Sequence, residues 1–220
     1  DVYKRQVEMF AILLPEKFDL ELFELIDVFI SKNRYINDRN EQYIKKHINA
    51  DVTRILLDSL KWRKTEYINN DKITKWLQER AIIVDEYYCW LILTELAAIP
   101  NHPFNSNRLY EILSRFSMAE RDAFLQNYIR FYNGYDDNGV PFPMRRLIDW
   151  AWSFDISLHQ VDTEIVYLVA QTLVWFLSST NNTVRDQVTK SLVNLLEQQA
   201  EILIRILKTF KKVSDWYILD

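Results

Sequence analysis

Apolar residues recur along most of this chain at the spacing of an α-helix. In residues 19–32 they form one stripe of a helical surface, made of Leu22, Phe23, Leu25, Ile26, Phe29 and Ile30. The same period returns in residues 40–60, 71–80, 83–98, 105–116, 118–132, 144–154, 161–178, 184–196 and 199–212. No segment shows the strict alternation that is typical of a half-buried strand. The pattern predicts an all-α protein of about ten helices.

Short polar connections separate the predicted helices and carry helix-start signals. Ser117 and Glu120 have the spacing of a capping box, in which the Ser117 hydroxyl accepts from the amide three residues on and Glu120 reaches back. Residues 178–183 interrupt the apolar period, and Asn181 is one of several favourable N-cap residues there. Helical pairs joined in this way predict an irregular α-solenoid of stacked hairpins, of the TPR or HEAT kind, or an irregular bundle.

An Arg-Asp pair lies near the start of two predicted helices, at Arg121-Asp122 and Arg185-Asp186. We expect Asp186 in the first turn of its helix, where the helix dipole favours a carboxylate. We expect Arg185 to bind a carboxylate of a neighbouring helix through two hydrogen bonds. Both residues are therefore predicted to be structural. The alternative is an arginine that reaches a nucleotide or a partner.

Four aromatic residues predict helices that are packed on more than one side. Trp150 and Trp152 lie about 200° apart on a helix, so both are buried only if that helix is covered on two sides. Trp175 and Phe176 stand together in the next apolar segment. We therefore expect a layered array with Trp150, Trp175 and Phe176 in its core.

Composition agrees with helices and limits the choice of partners. The two glycines, Gly134 and Gly139, both lie in one loop, whereas sheets and phosphate-binding loops require many. The net charge of −4, with acids and bases interspersed, predicts no nucleic-acid partner. The single cysteine, Cys89, sits in an apolar run, is expected to be a core thiol, and makes the cytoplasm the expected compartment. Residues 165–177 are too few to span a bilayer, so no membrane partner is expected.

The sequence lacks the common motifs of catalytic and cofactor sites. It contains no GxxxxGK[ST], GxSxG or HExxH motif. Its histidines are far apart in sequence and show no metal-ligand spacing: His47, His102 and His159. Residues 136–139, Asp-Asp-Asn-Gly, match part of a calcium-binding EF-hand loop, but Arg145 stands where that loop needs its bidentate glutamate. We therefore expect no catalytic residue, no cofactor and no metal in this segment.

Two functional readings remain open as alternatives. A Ser/His/Asp set could be assembled in space from the hydroxyls of residues 178–183. Residues 61–64, Lys-Trp-Arg-Lys, could contact nucleic acid through their charges and their aromatic ring.

Both ends of the chain resemble cut ends. Residues 1–6, Asp-Val-Tyr-Lys-Arg-Gln, are what a common transposon-derived sequencing adapter encodes, so we interpret them as an artefact of sequencing. The helical array is expected to cover residues 7–220, with 7–100 and 104–220 as two sub-units. We expect an interior piece of a longer protein, truncated at both ends.

Five strings carry a family resemblance when they are taken in order. They are SLKWR (59–63), HPFN with LSRFSMAERD (102–122), RLIDWAWS (146–153), WFLSSTNNTVRDQVTKSLVNLL (175–196) and FKKVSDWYILD (210–220). As a set, they resemble the helical region of bacterial STAND-superfamily NTPases, the Avs-type antiviral sensors. Ser191 stands where a small residue such as alanine is expected. The resemblance covers about residues 55–220.

The resemblance implies a parent protein with an effector domain, an ATP-binding oligomerisation module and a helical array that recognises a phage protein. No ATPase motif lies in this chain, so no ATP-site residue is carried over. The expected role is non-catalytic, either recognition of a phage protein or coupling of sensor to NTPase. Partners would be that phage protein, the protein's own NTPase domain, or further copies of the parent. The alternatives are a generic helical scaffold, and a helical nucleic-acid-binding or enzymatic domain that uses Arg121, Arg185 and residues 61–64.

Overall fold

A computed structural model describes residues 54, 57–68, 70–71, 73–74, 86–155 and 161–219 of the chain. The predicted helix at 19–32, the adapter interpretation of residues 1–6, and the residues His47 and His159 lie outside these ranges. The chain divides into two compact units, one that ends at Ile92 and one that begins at Leu93.

Within the described ranges every regular element is a helix. A short 3₁₀ helix spans Thr65–Tyr67, and the α-helices are α1 Glu86–Leu96, α2 Ser106–Leu113, α3 Met118–Tyr132, α4 Pro143–Trp152, α5 Thr163–Phe176, α6 Asn182–Leu196, α7 Ala200–Phe210 and α8 Trp216–Leu219. An isolated antiparallel bridge joins Tyr135 to Pro141 in the loop after α3. The all-α class predicted from the apolar period is therefore confirmed for the described residues.

Helix α5 is the centre of the core, and α2, α4, α6 and α7 pack against it. It is buried without interruption from Val166 to Phe176. A hydrogen bond between two buried hydroxyls joins α2 to α5. The Thr172 hydroxyl donates to the Leu168 carbonyl, 2.9 Å away, and shares a second 2.9 Å hydrogen bond with the buried Ser106 hydroxyl. Two small polar side chains thus meet where larger ones would separate the helices.

Helix α6 packs closely on α4 because small and polar side chains line their contact. The Ser191 hydroxyl donates to the Ile148 carbonyl at 3.1 Å, beside the fully buried Ala151. One turn further, the Asn194 amide lies within 3.1 Å of three carbonyls at the end of α4, those of Ala151, Trp152 and Phe154. A helix end leaves its last carbonyls without partners, so Asn194 supplies donors that α4 itself lacks.

The predicted two-sided burial holds for α5 but is wrong for α4. Trp175 is 0% exposed and Phe176 is buried. Trp150 is only half-buried, and Trp152 is 54% exposed. The 200° between the two α4 tryptophans therefore points one of them to solvent, because α4 is covered along a single stripe that includes Met144 and Ile148.

The predicted buried stripe of α7 is also shifted. Sequence periodicity placed Leu203, Ile206, Leu207 and Phe210 on one buried side. The buried residues are Ile202, Ile206 and Phe210, whereas Leu203 and Leu207 are 39% and 61% exposed. The apolar residues of this helix cover an arc of about 200°, which is wider than one buried stripe, so its period fits two overlapping stripes, and only contact with α5 selects one of them.

None of the helices in the described ranges combines the length and the apolar character needed to cross a lipid bilayer.

Replacing Trp175 tests the central position of α5. We expect Trp175→Ala to lower the free energy of unfolding by about 3–5 kcal/mol, because it removes a large buried side chain and leaves a cavity. The matched control is Trp152→Ala, which should cost less than about 1 kcal/mol since half of that side chain is already in water. Urea unfolding of both variants measures the difference, and equal losses would contradict the assignment of α5 as the core.

Candidate functional site

A buried ion pair joins α3 to the segment that follows α7. The Arg121 guanidinium places Nε and Nη2 each 3.2 Å from Oδ2 of Asp215. The Arg121 side chain is 2% exposed and that of Asp215 is 0% exposed. The two residues are 94 positions apart in sequence. A charge pair this deep is stable only if nearly all of its polar atoms are satisfied.

All five N–H groups of Arg121 have an acceptor. Besides Asp215, Nη2 donates to the Ser214 carbonyl at 2.7 Å, and Nη1 donates to the Phe116 carbonyl at 2.6 Å. A longer contact of 3.4 Å joins Nη1 to the Leu113 carbonyl. The guanidinium therefore donates to the carbonyls at the end of α2 and has no N–H left for a ligand.

Asp215 is equally well satisfied. The Ser178 hydroxyl donates to its Oδ2, and the backbone N–H of Tyr217 donates to Oδ1 at 3.1 Å. We call Arg121, Ser178 and Asp215 the Arg121 cluster. It joins three segments that are remote in sequence: the start of α3, the end of α5 and the start of α8.

Aromatic rings cover the Arg121 cluster on its core side. The guanidinium carbon of Arg121 lies 5.6 Å from the centre of the Trp175 ring. Trp175 in turn contacts Tyr110 and Phe210, with ring centres 5.7 Å and 4.9 Å apart. These rings keep water away from the ion pair, which strengthens its electrostatic attraction.

The next residue of α3, Asp122, binds the corner between α5 and α6. Its Oδ1 accepts from the Thr180 backbone N–H at 3.1 Å, and its Oδ2 accepts from the Gln126 amide at 3.2 Å. The Gln126 amide also donates to the Thr180 hydroxyl at 2.5 Å. Two consecutive residues of α3 therefore bind two different segments.

The hydroxyls and amides of the 178–183 corner are used to build the corner itself. The Ser179 hydroxyl accepts from the Asn181 N–H at 3.1 Å. Asn181 is the N-cap of α6, as its side chain accepts from the N–H groups of Thr183 and Val184 at 3.1 and 3.2 Å. Ser178 donates to the Asp215 carboxylate, which Arg121 already holds. These hydrogen bonds join the corner to itself and to Asp215.

The structure corrects both expectations for Arg185 and Asp186. Among the described residues, Arg185 has no carboxylate partner; it donates to the Ser179 carbonyl at 2.8 Å and to the Asn182 side chain, and it lies 4.4 Å above the Tyr217 ring. Asp186 lies past the first turn of α6, because the helix starts at Asn182, and it forms an exposed ion pair with Lys190 at 2.7 Å. Because Asn181 is the cap, Asp186 is the fifth residue of the helix and lies away from the favourable end of the dipole.

Ser117 and Glu120 form the capping box of α3. The Ser117 hydroxyl accepts from the Glu120 N–H at 3.3 Å, and a Glu120 carboxylate oxygen accepts from the Ser117 N–H at 2.7 Å. These hydrogen bonds from the Ser117 backbone and side chain lower the pKa of Glu120 below its usual value. The box fixes the first turn of α3, the turn that carries Arg121 and Asp122.

The other candidate residues serve their own loops. His102 is buried, and its Nδ1 accepts from the Phe104 N–H at 3.1 Å. Asp136 uses one oxygen to accept from the N–H groups of Asn138 and Val140, so the Asp-Asp-Asn-Gly stretch is a closed turn. Cys89 is half-buried rather than deep in the core. Among the described residues no three His, Cys, Asp or Glu side chains converge as metal ligands would.

The segment 61–64 does not present a row of free cations. Lys61 binds Asp58 at 2.7 Å, and Arg63 is buried, while Trp62 is partly exposed. These residues belong to the other compact unit of the chain.

Sequence reasoning missed Asp215, yet a signal for it exists. Arg121 falls on the same face of α3 as Phe124, Leu125 and Tyr128, all of which are buried. A charge on an apolar stripe requires a buried counter-charge, so the position of Arg121 predicts a partner but not which one.

No family model matches this chain, and no curated protein and no solved structure is significantly similar to it.

Removing either partner of the buried ion pair should destabilise the fold strongly. We expect Arg121→Ala and Asp215→Ala each to cost about 3–5 kcal/mol, since each leaves a buried charge without its partner. The double variant should cost much less than the sum of the two, which urea unfolding in a double-mutant cycle measures.

The control for this cycle is the exposed pair of Asp186 and Lys190. Its alanine variants should change the free energy of unfolding by no more than about 0.5 kcal/mol. Additive losses at Arg121 and Asp215 would show that the two side chains do not interact.

The capping box predicts a pH dependence. Because the folded-state pKa of Glu120 is lowered, its contribution is present at neutral pH and is lost as pH falls through that lowered value. The melting-temperature difference between the parent chain and Glu120→Gln should therefore shrink in acid. Glu197→Gln, which changes an exposed carboxylate outside the box, serves as the control, and a difference that stays constant with pH would contradict the role of Glu120.

Proposed function

We propose that this chain is a non-catalytic helical-repeat segment of a bacterial antiviral STAND NTPase. It would either recognise a phage protein or couple the sensor to the NTPase, in the cytoplasm. The proposal is supported by the positions, in the fold, of the sequence strings that carry the family resemblance. Three of those strings come together at the Arg121 cluster.

Each of the three strings contributes one member of the cluster. LSRFSMAERD supplies Arg121 and the Phe116 carbonyl that it binds. WFLSSTNNTVRD supplies Ser178, and FKKVSDWYILD supplies Asp215. Residues that carry the family resemblance thus act together as one structural unit, which favours a shared architecture over chance similarity of helical sequences.

The order of helix packing supports an irregular solenoid. From α4 to α7, each helix packs against the next one, and α4 and α5 also pack against the next but one, as in stacked hairpins. The contact between α2 and α5 departs from this order. An array of this kind binds proteins through extended surfaces and needs no catalytic residue of its own.

The Arg121 cluster suits a coupling role. It fixes the end of α2, the start of α3, the corner after α5 and the segment after α7 to one buried point. A displacement of any one of these segments requires the whole set of hydrogen bonds to change, because a buried charge tolerates no partial separation. Such a unit transmits movement between neighbouring hairpins.

The nucleic-acid-binding or enzymatic alternative loses its main residues. Arg121 has all its N–H groups occupied, and Arg185 donates to the Ser179 carbonyl and to Asn182. The corner hydroxyls are engaged within the corner or with Asp215. These contacts favour a binding and coupling role. The remaining alternative is a generic helical scaffold, which the experiments below distinguish from that role.

Reading the complete gene is the first test. We expect a P-loop segment in the same reading frame as this chain, and an effector domain. The complete protein, expressed in a bacterial host, should then reduce plaque formation by at least one phage in a panel. A complete gene with no ATPase segment would leave a generic helical scaffold and would overturn the antiviral proposal.

A matched pair of variants tests the coupling role in the complete protein. Ser178→Ala removes one hydrogen bond to Asp215. Thr183→Ala removes a hydroxyl of the same corner but keeps the backbone N–H that Thr183 donates to the Asn181 cap. We expect Ser178→Ala to reduce protection against phage and Thr183→Ala to preserve it, at equal protein abundance on an immunoblot. Equal protection by both variants would remove the coupling role.

A further inference from the structure

Helix α7 presents an exposed apolar face on the flank of its buried stripe. Its buried side is formed by Ile202, Ile206 and Phe210. On the outer side Leu207 is 61% exposed and Ile204 is 50% exposed. Adjacent large aliphatic side chains in water are unfavourable, and such faces are commonly covered by another surface.

The outer residues of α7 have the spacing of a coiled-coil seam. Ala200, Ile204, Leu207 and Lys211 follow one another at intervals of four, three and four residues. These are alternating d and a positions of a heptad, with Ile204 at a and Leu207 at d in the middle, and Ala200 and Lys211 at the two ends. A seam of this kind packs against another helix rather than against a loop or a flat sheet.

Charges beside the seam indicate the direction of that other helix. Glu201 and Lys208 each follow a d position, so both flank the seam on the same edge, one near each end of α7. Within the part of the chain that the structure describes, neither forms an ion pair, and Arg205 is held by Glu164 of α5. An acidic group at one end and a basic group at the other make this edge complementary to itself when it is reversed.

We propose that two copies of this chain pair through the outer face of α7, with the two helices antiparallel. In this arrangement Ile204 of each copy packs against Leu207 of the other, and Glu201 lies opposite Lys208. The antiparallel direction also opposes the two helix dipoles, whereas a parallel pair would align them. The contact is isologous, because the same patch serves both copies.

The pairing is weak and depends on concentration. Helix α7 has 11 residues and is therefore about 16 Å long. Such a helix covers less than the roughly 800 Å² per partner of a standard interface. The proposal rests on α7 alone and not on the antiviral assignment, so either can fail without the other.

Sedimentation equilibrium of the 220-residue chain tests the pairing. We expect the average mass to rise from the 26.5 kDa of one chain towards twice that value between micromolar and near-millimolar concentration. Leu207→Glu should keep the chain monomeric at all of these concentrations. Val193→Glu is the matched control, since Val193 is equally exposed at 61% but lies on α6.

A charge exchange tests the antiparallel direction. Glu201→Lys and Lys208→Glu should each weaken self-association about tenfold, because each places like charges opposite one another. Mixing the two single variants should restore pairing, since every Lys then faces a Glu, and the double variant Glu201→Lys/Lys208→Glu should pair with itself. Circular dichroism controls for folding, which these exposed substitutions should leave unchanged.

Several results would overturn the proposal. One is a chain that stays at 26.5 kDa at every concentration. Another is a loss of pairing that is as large in Val193→Glu as in Leu207→Glu. Single charge variants that fail to restore each other would contradict the antiparallel direction. Binding of a monomeric chain to phosphatidylcholine–phosphatidylserine vesicles, abolished by Leu207→Glu, would assign the face to a lipid surface instead.

Discussion

The described unit depends on one buried ion pair. Arg121 and Asp215 are both removed from water, and moving two charges into a protein interior is costly unless hydrogen bonds replace hydration. The carbonyls of Leu113, Phe116 and Ser214 and the Ser178 hydroxyl provide that replacement. Because these groups belong to three segments and Arg121 itself to a fourth, satisfying the charges also fixes where α2 ends, where α3 starts and where the chain runs after α7. The hydrophobic core around α5 supplies most of the burial, but the ion pair decides which segments meet.

The two Arg-Asp pairs look alike in sequence and behave differently in the structure. Successive residues of a helix point about 100° apart, so the Arg and the Asp of each pair can contact two different neighbouring segments. In α3, Arg121 reaches the core and Asp122 binds the corner at Thr180. In α6, Arg185 lies over Tyr217 and Asp186 faces solvent with Lys190. The dipeptide therefore marks no structural repeat. What differs is the surroundings, since α3 starts beside two other chain segments whereas the corresponding side of α6 is exposed.

The polar corner after α5 shows how packing alone can account for residues that suggest chemistry. A run of Ser, Thr and Asn offers nucleophiles, but each of these side chains also stops or starts a helix through its own hydrogen bonds. Here Ser179 and Asn181 satisfy N–H groups within the corner, and Ser178 completes the shell of Asp215. The corner is held from two sides, by Asp122 of α3 and by Asp215, which precedes α8.

The sequence by itself determined the helices and their beginnings, because these depend on local interactions. The all-α class, the capping box at Ser117 and Glu120, and the Asn181 cap all follow from residues within four positions of one another. Only the tertiary structure decided which face of α7 is buried, that Trp152 is exposed, and that Asp215 is the partner of Arg121. Those outcomes depend on contacts between residues up to 94 positions apart, and the periodicity of a single helix carries no information about which neighbour will cover it.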